Sequence, residues 1–204
     1  MWTVSRDFNN AVSLVANQGA FMKILLIAGL CSIALLSNQA FADVKDSSPG
    51  GFTVVNETIV EASRDVVWLA AIDDVGLWWN SDHTVSGDSS RLSITARPQG
   101  CFCESFGPGA GVVHLSVTMV NPGVVLRLTG GLGPLGLMGV NGNMTWEFET
   151  VEAGTKVKFT YAVGGYRPEG LDTIAGPVDF VIGEALARLK EQVETGGLEN
   201  ADIG

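Results

Sequence analysis

Strict apolar–polar alternation in two long segments constrains the fold more than any other feature of this chain. In "MTWEFETV", Met144, Trp146 and Phe148 alternate with polar residues. In "TKVKFTYAV", the alternating apolar residues are Val157, Phe159, Tyr161 and Val163. A period of two places successive side chains on opposite faces of a strand. The two segments therefore predict an antiparallel sheet with one buried face and one wet face.

Further strand-like runs precede these two and are separated from one another by turn signals. They are "FTVVNETIVEA" at 52–62, "RLSITARP", "CFCESF", "GVVHLSVTMV" and "VVLRLTG". The turns are Pro98-Gln99-Gly100, Gly107-Pro108-Gly109, Asn121-Pro122-Gly123 and Glu152-Ala153-Gly154. Runs of this length bounded by Gly, Pro and Asn are typical of hairpin-connected strands. The pattern predicts seven strands in all.

Two helices complete the pattern. Ser63 is placed to cap a helix over "SRDVVWLAAIDD". Near the C-terminus, Val178, Val181, Ile182, Ala185, Leu186, Leu189 and Val193 form an apolar stripe, whereas Asp179, Glu184, Arg188, Lys190 and Glu191 are expected to point away. Pro177 lies near the start of this helix and Gly196-Gly197 are expected to end it. The predicted fold class is α+β: a curved seven-stranded antiparallel sheet wrapped around a long C-terminal helix, with short helices after strand 1.

The N-terminal part has the features of a processing segment. From Met22, Lys23 precedes an apolar run, and Ala40-Phe41-Ala42 forms an A-x-A cleavage site. We therefore expect an upstream extension at 1–21, a signal peptide at 22–42, a linker at 43–51, one domain at 52–196 and a flexible tail at 197–204. This organisation predicts a periplasmic or secreted protein. The apolar run is short for a membrane span, so no stable span is expected after cleavage.

The charge balance limits the classes of partner. The formal net charge is −10, and Lys and Arg form no cluster in the sequence. Nucleic acid and anionic membrane surfaces require a basic patch. Nucleic acid is therefore not an expected partner.

Four chemically active side chains lie close together in "GCFCE" and the following "VVHL": Cys101, Cys103, Glu104 and His114. Their arrangement depends on the register of one hairpin. If Phe106 pairs with Gly111, Cys103 faces His114; a slip of one residue places Glu104 opposite His114 instead.

Four interpretations of this cluster stay open. A disulfide is awkward, because extended i and i+2 positions lie near the limit of about 7 Å between Cα atoms, and a bridge would need a bulge. Cys101, Cys103 and His114 are three ligands for zinc or copper, with His83 or Glu104 as a fourth. Glu104 and His114 are also a candidate catalytic acid–base pair. The plainest alternative is free thiols and a hydrogen-bonded histidine on a half-buried strand.

The order of elements and several stretches resemble the SRPBCC superfamily, which has the START-like or helix-grip fold. The stretches are "LWWNSDHTVSGD", "GCFCE", "VVHLSVTMVNPG", "LRLTGGLGPL" and "VDFVIGEALARLK". They are similar to a bacterial group of polyketide cyclase/dehydrase-like proteins. The resemblance covers residues 52–196. It implies a cavity between the curved sheet and the long helix for lipids, sterols, polyketides or other apolar molecules. It also implies that the Gly-Cys-Phe-Cys-Glu stretch and His114 act together.

Two segments favour a ligand cavity in this chain. The loop "TGGLGPLGLMGVNG" at 129–142 is rich in Gly, Leu and Met, and exposed Leu and Met are costly unless they cover something, so it is a candidate lid. Aromatic side chains near His83 suit flat apolar ligands. The predicted pocket residues are Trp78, Trp79, His83, Phe102, Leu135, Met138, Trp146, Phe159, Tyr161 and Phe180.

The leading hypothesis from the sequence is an exported helix-grip protein that binds a small hydrophobic ligand, lipid-like or polyketide-like. One alternative is a cyclase- or dehydratase-like enzyme that uses Glu104 and His114. The other is a zinc- or copper-binding module built on Cys101, Cys103 and His114. Fold alone does not choose among them, because one fold serves many functions.

Overall fold

The computed structural model describes residues 41–199, with side chains described for 44–196. The predicted upstream extension (1–21) lies outside these residues, as do positions 22–40 of the predicted signal peptide and 200–204 of the predicted tail. None of the helices in the described part is long and apolar enough to span a membrane.

An antiparallel sheet forms one layer of the fold, and a long C-terminal helix packs against it. Within residues 41–199 the sheet has eight strands, in the order β1-β2-β8-β7-β6-β5-β4-β3. The strands are β1 (Phe41–Ser48), β2 (Gly51–Val60), β3 (Leu92–Ile94), β4 (Cys101–Gly107), β5 (Ala110–Asn121), β6 (Val125–Gly130), β7 (Gly139–Val151) and β8 (Gly154–Tyr166). The predicted class, α+β with a large antiparallel sheet, is confirmed; the sheet is open rather than closed.

The strand that the sequence did not predict is β1. It lies over the segment expected to be a linker, at 43–51, and begins within the expected signal peptide, at Phe41. It pairs antiparallel with β2, from Phe41 opposite Glu57 to Ser48 opposite Gly51. The segment "DVKDSSPGG" lacks the apolar alternation of a half-buried strand, and its side chains from Lys45 to Gly50 are exposed. Its position at the edge of the sheet explains why a polar segment is tolerated there.

Helices α1 (Arg64–Asp73) and α2 (Val75–Trp78) follow β2, and α3 (Asp172–Glu199) ends the fold. Ser63 is the N-cap of α1, as predicted, although its side chain makes no capping hydrogen bond. The start of α3 precedes Pro177, which lies in its second turn. The prediction that Gly196-Gly197 end this helix is wrong, because α3 continues through both glycines to Glu199.

The core lies between the sheet and the helices. Alternate residues of β7 and β8 are buried on the face predicted for them, among them Met144, Trp146, Phe159 and Tyr161. Helix α3 packs chiefly against β2 and β1, and α1 and α2 also contact it. The prediction for one residue of the expected polar face is wrong. Asp179 is buried and accepts a hydrogen bond from Asn56 Nδ2 at 2.9 Å.

The run "RLSITARP" forms a much shorter strand than predicted, because β3 covers only Leu92–Ile94. The chain then turns back towards β4 through Gly100. A Cβ atom at Gly100 would overlap the carbonyl oxygen of Thr95. Glycine is therefore required immediately before Cys101, where two backbone segments approach closely.

Candidate functional site

The β4–β5 hairpin contains a bulge that the sequence could not predict. Phe102 pairs with Leu115, as in the first of the two predicted registers, but Cys103 pairs with Val113. The extra residue of β5 is His114. Both His114 and Leu115 consequently lie on the buried face, where a regular strand would alternate them.

The bulge brings His114 to Glu104 without the predicted one-residue slip. His114 Nε2 lies 3.0 Å from Glu104 Oε2, and both side chains are almost fully buried. The same carboxylate accepts backbone hydrogen bonds from Val85 at 3.0 Å and from Ser86 at 2.5 Å. Because a carboxylate only accepts, His114 Nε2 carries the hydrogen in this bond.

Hydrogen bonding decides the charge of Glu104. Burial by itself raises its pKa, but hydrogen bonds from Ser86, Val85 and His114 oppose burial and lower the pKa to about 2. The carboxylate is therefore ionised near neutral pH. It serves as an anchor that ties the segment at 85–86 to strand β4.

The two cysteines lie on the other face of β4. Cys101 and Cys103 form a disulfide with a Cα–Cα distance of 5.4 Å, shorter than the separation expected for extended i and i+2 positions. The i and i+2 spacing of the two cysteines predicts against this bridge unless the hairpin contains a bulge. The bridge is present, and the bulge lies on the partner strand.

The structure does not bring the predicted metal ligands Cys101, Cys103 and His114 together. The two sulfurs of Cys101 and Cys103 are bonded to each other, and the His114 ring lies on the opposite, buried face. A disulfide sulfur is not the thiolate that binds zinc. Across the residues that the structure describes, no group of three His, Cys, Asp or Glu side chains is arranged to hold a metal ion.

A second anchor holds the other end of the 80–86 segment. Glu184 of α3 accepts hydrogen bonds from Asn80 Nδ2 and from His83 Nε2, each at 2.8 Å. Asn80 also accepts from the backbone N–H of Asp82 and so caps the 3-10 turn Ser81–His83. Glu104 and Glu184 thus fix this segment between the sheet and the long helix.

The fixed segment forms one wall of a cavity of about 660 Å³. The loop at 131–138 forms a second wall, and α3 contributes Ile174, Pro177, Val178, Val181 and Ile182. Val112 and Val113 of β5 and Tyr161 of β8 complete the lining. Val85 and Leu137 line the cavity although they are 61% and 93% exposed, so the cavity opens to solvent beside them. Its size is in the range of small-molecule sites.

Tyr161 holds the base of the loop at 131–138, which includes the 3-10 turn Gly133–Leu137. Its hydroxyl donates to the carbonyl of Gly130 at 2.9 Å and accepts from the N–H of Leu132 at 3.1 Å. Burial raises the pKa of Tyr161 to about 12, despite the opposing hydrogen bond from Leu132. The hydroxyl therefore stays protonated and keeps both bonds.

Half of the predicted pocket residues line the cavity: Trp79, His83, Leu135, Met138 and Tyr161. The other five do not. Trp78, Phe102, Trp146 and Phe159 are buried in the core, where Trp146 stacks on Phe159 with ring centroids 4.5 Å apart. Phe180 lies on an exposed part of α3 and its ring contacts His83 edge-on. The type of a large aromatic residue predicts that it is buried, but it does not distinguish a core position from a cavity wall.

The predicted pocket residues do not include the smaller residues of the lining. Val112 and Val113 adjoin the bulge, and Asp82, Thr84 and Val85 lie in a segment without periodicity. On α3, the predicted apolar stripe includes Val178, Val181 and Ile182 and the cavity is expected beside this helix, but these three residues are not among the predicted pocket residues. Glu104 and His114 are not among the lining residues.

Several solved structures of bacterial proteins have a similar fold. A protein of unknown function from Rhizobium leguminosarum aligns over 76% of this chain and 98% of its own length, with 17% identity and a TM-score of 0.53. MLL2253 from Mesorhizobium loti aligns over 74% and 99%, with 18% identity and a TM-score of 0.51. DynU16, from the dynemicin biosynthetic locus, aligns over 71% of this chain and 48% of its own, with 21% identity and a TM-score of 0.51.

These similarities show a shared fold of sheet and C-terminal helix, an arrangement consistent with a helix-grip-like fold, and at such identities they show the fold alone. No protein-family model matches the chain, and no curated protein matches its sequence.

Proposed function

We propose that this protein is an exported member of the SRPBCC superfamily that binds a small hydrophobic molecule. The observation that carries the proposal is the cavity of about 660 Å³ between the sheet, the 131–138 loop and α3. Its walls are mostly aliphatic. Water in such a cavity finds few hydrogen-bonding partners, so an apolar molecule gains free energy by replacing it.

The construction of the walls supports binding rather than solid packing. The 80–86 segment is tied to Glu104 and Glu184, and the 131–138 loop is tied to Tyr161. Polar anchors therefore fix both walls around the cavity without filling the space between them. Leu137, which is 93% exposed at the mouth, is placed to cover an occupant.

Two observations support export. The sequence from Met22 to Ala42 has the pattern of a signal peptide. The Cys101–Cys103 disulfide is typical of oxidising compartments such as the periplasm. Cell fractionation and N-terminal sequencing of the mature protein test this part; a cytoplasmic protein that retains residues 22–42 contradicts it.

An acid–base enzyme receives less support. Glu104 and His114 form the predicted pair, but their hydrogen bonds hold the 80–86 segment in place. Neither side chain lines the cavity. A general base must reach the proton that it abstracts. The proposal therefore assigns the pair to positioning of the cavity wall.

Occupancy of the cavity is tested with N-phenylnaphthylamine, a neutral dye that fluoresces when it enters an apolar site. Val181→Trp fills the cavity from α3 and is expected to abolish the dye signal. Val66→Trp is the matched control, because Val66 is 51% exposed on α1 and does not line the cavity. Equal dye binding by both variants would contradict the proposal. Native mass spectrometry of the purified protein then identifies a co-purified molecule by its mass.

A further inference from the structure

The side-chain hydrogen-bond donors that line the cavity are already engaged within the protein. Trp79 Nε1 donates to the carbonyl of His83 at 3.2 Å, and Thr84 Oγ1 donates to the carbonyl of Ser81 at 2.8 Å. The Tyr161 hydroxyl donates to Gly130, and His83 Nε2 bonds the carboxylate of Glu184. A ligand whose polar end only accepts hydrogen bonds therefore finds these donors occupied.

The hydrogen-bond acceptors at the mouth, unlike the donors, are not all engaged within the protein. Asp82 lines the cavity and is exposed, and its carboxylate bonds none of the residues that the structure describes. With Nε2–H directed to Glu184, the second ring nitrogen of a neutral His83 is also an acceptor. The mouth thus presents acceptors to an incoming polar group.

The charges of the lining residues also favour a ligand without negative charge. No lysine or arginine of the described chain is among the lining residues, whereas Asp82 is. An anionic head group at this mouth would lose hydration without a cation to replace it, and Asp82 would repel it. A hydroxyl or ammonium group would instead donate to Asp82.

We propose that the cavity selects hydrophobic molecules whose polar end is a hydrogen-bond donor without negative charge, an alcohol or an amine, and rejects the corresponding carboxylic acids. The aliphatic walls take the hydrocarbon body and Asp82 takes the donor. This inference rests on the proposed binding function and adds the chemical class of the ligand.

The test compares dodecylamine, dodecanol and dodecanoic acid, which share one hydrocarbon chain and differ at the polar end. Each competes with N-phenylnaphthylamine for the mature protein at pH 8, below the concentrations at which the probes form micelles. We expect the amine and the alcohol to bind at least about tenfold more tightly than the acid.

Charge reversal at the mouth sharpens the test. Asp82→Lys is expected to invert the order, so that the acid binds more tightly than the amine, with little change for the alcohol. Asp73→Lys is the control, because Asp73 is exposed on α1, lies outside the cavity lining and gives the same change in net charge. It should leave the order unchanged.

The outcomes separate the two proposals. If the dye binds but the acid competes as well as the amine, the inference about ligand class is overturned and the binding function stands. The same holds if Asp82→Lys leaves the order unaltered. If neither the dye nor any probe binds, both proposals are overturned.

Discussion

Glu104 Oε2 and His114 Nε2 lie 3.0 Å apart on the buried face of the β4–β5 hairpin, at a bulge where His114 is the extra residue. The same carboxylate holds the backbone of Val85 and Ser86, and Val85 lines the cavity. A single ionised side chain therefore connects an irregularity of the sheet to a wall of the proposed binding site. This connection, together with the Tyr161 anchor of the other cavity wall, leads to four predictions.

Replacing Glu104 by Gln should destabilise the fold strongly. The amide NH₂ would face backbone N–H donors that now meet a carboxylate, so buried donors would be left without acceptors. We expect the free energy of unfolding to fall by about 2–4 kcal/mol, measured by urea denaturation.

Glu147→Gln is the matched control. Glu147 pairs with Lys158 at 2.8 Å on the wet face of the sheet, where both side chains are over a third exposed. Its loss should cost less than about 1 kcal/mol. Equal effects of the two substitutions would show that the buried carboxylate is not an anchor.

Glu104 also predicts an acid-dependent loss of stability. Its pKa is lowered from 4.5 to about 2 in the folded protein, so the unfolded chain binds its proton at higher pH than the folded chain does. The contribution of Glu104 is fully present above about pH 5 and is lost as the pH falls towards about 2. Urea denaturation across this window should show a steeper decline for the native protein than for Glu104→Gln. Parallel curves would contradict the assignment.

Removing the Cys101–Cys103 disulfide should have a modest effect on stability. Because the bridge closes a very short loop, the chain-entropy estimate is only about 1–2 kcal/mol. The contacts of Glu104 are worth more, so the bulge at His114 should persist in Cys101→Ser/Cys103→Ser. The ring resonances of His114 by NMR should then stay close to their positions in the native protein. A large shift would mean that the disulfide, and not Glu104, holds the bulge.

Tyr161→Phe should loosen the loop at 131–138. The substitution leaves the N–H of Leu132 and the carbonyl of Gly130 without their shared partner, at a cost of about 1–3 kcal/mol. Hydrogen exchange at Leu132 should accelerate and dye binding should weaken. Tyr166→Phe is the control, because Tyr166 is 73% exposed and its loss should change neither property.

Local patterns in the sequence were sufficient for most of the secondary structure. The alternation in β7 and β8, the turn residues between strands and the stripe on α3 each depend on residues close in the chain, so period and turn chemistry identify them. The edge strand β1 was not predicted because it pairs with β2 through backbone hydrogen bonds, and its polar side chains show no strand pattern. The prediction that Gly196-Gly197 end α3 is wrong because the low helix propensity of glycine is a weak preference that the surrounding structure can override.

The four groups of "GCFCE" and His114 show where the sequence alone reaches its limit. Their spacing determined that Cys101 and Cys103 share one face of a strand and that Phe102 and Glu104 share the other. Only the tertiary structure decided which face His114 joins, because the bulge adds one residue to β5 and turns His114 inward. It also decided that Glu104 meets the backbone of residues 85–86, which are distant in the chain. A one-residue offset reverses every side chain beyond it, so the chemistry of such a site is set by packing across strands and not by the order of residues along one.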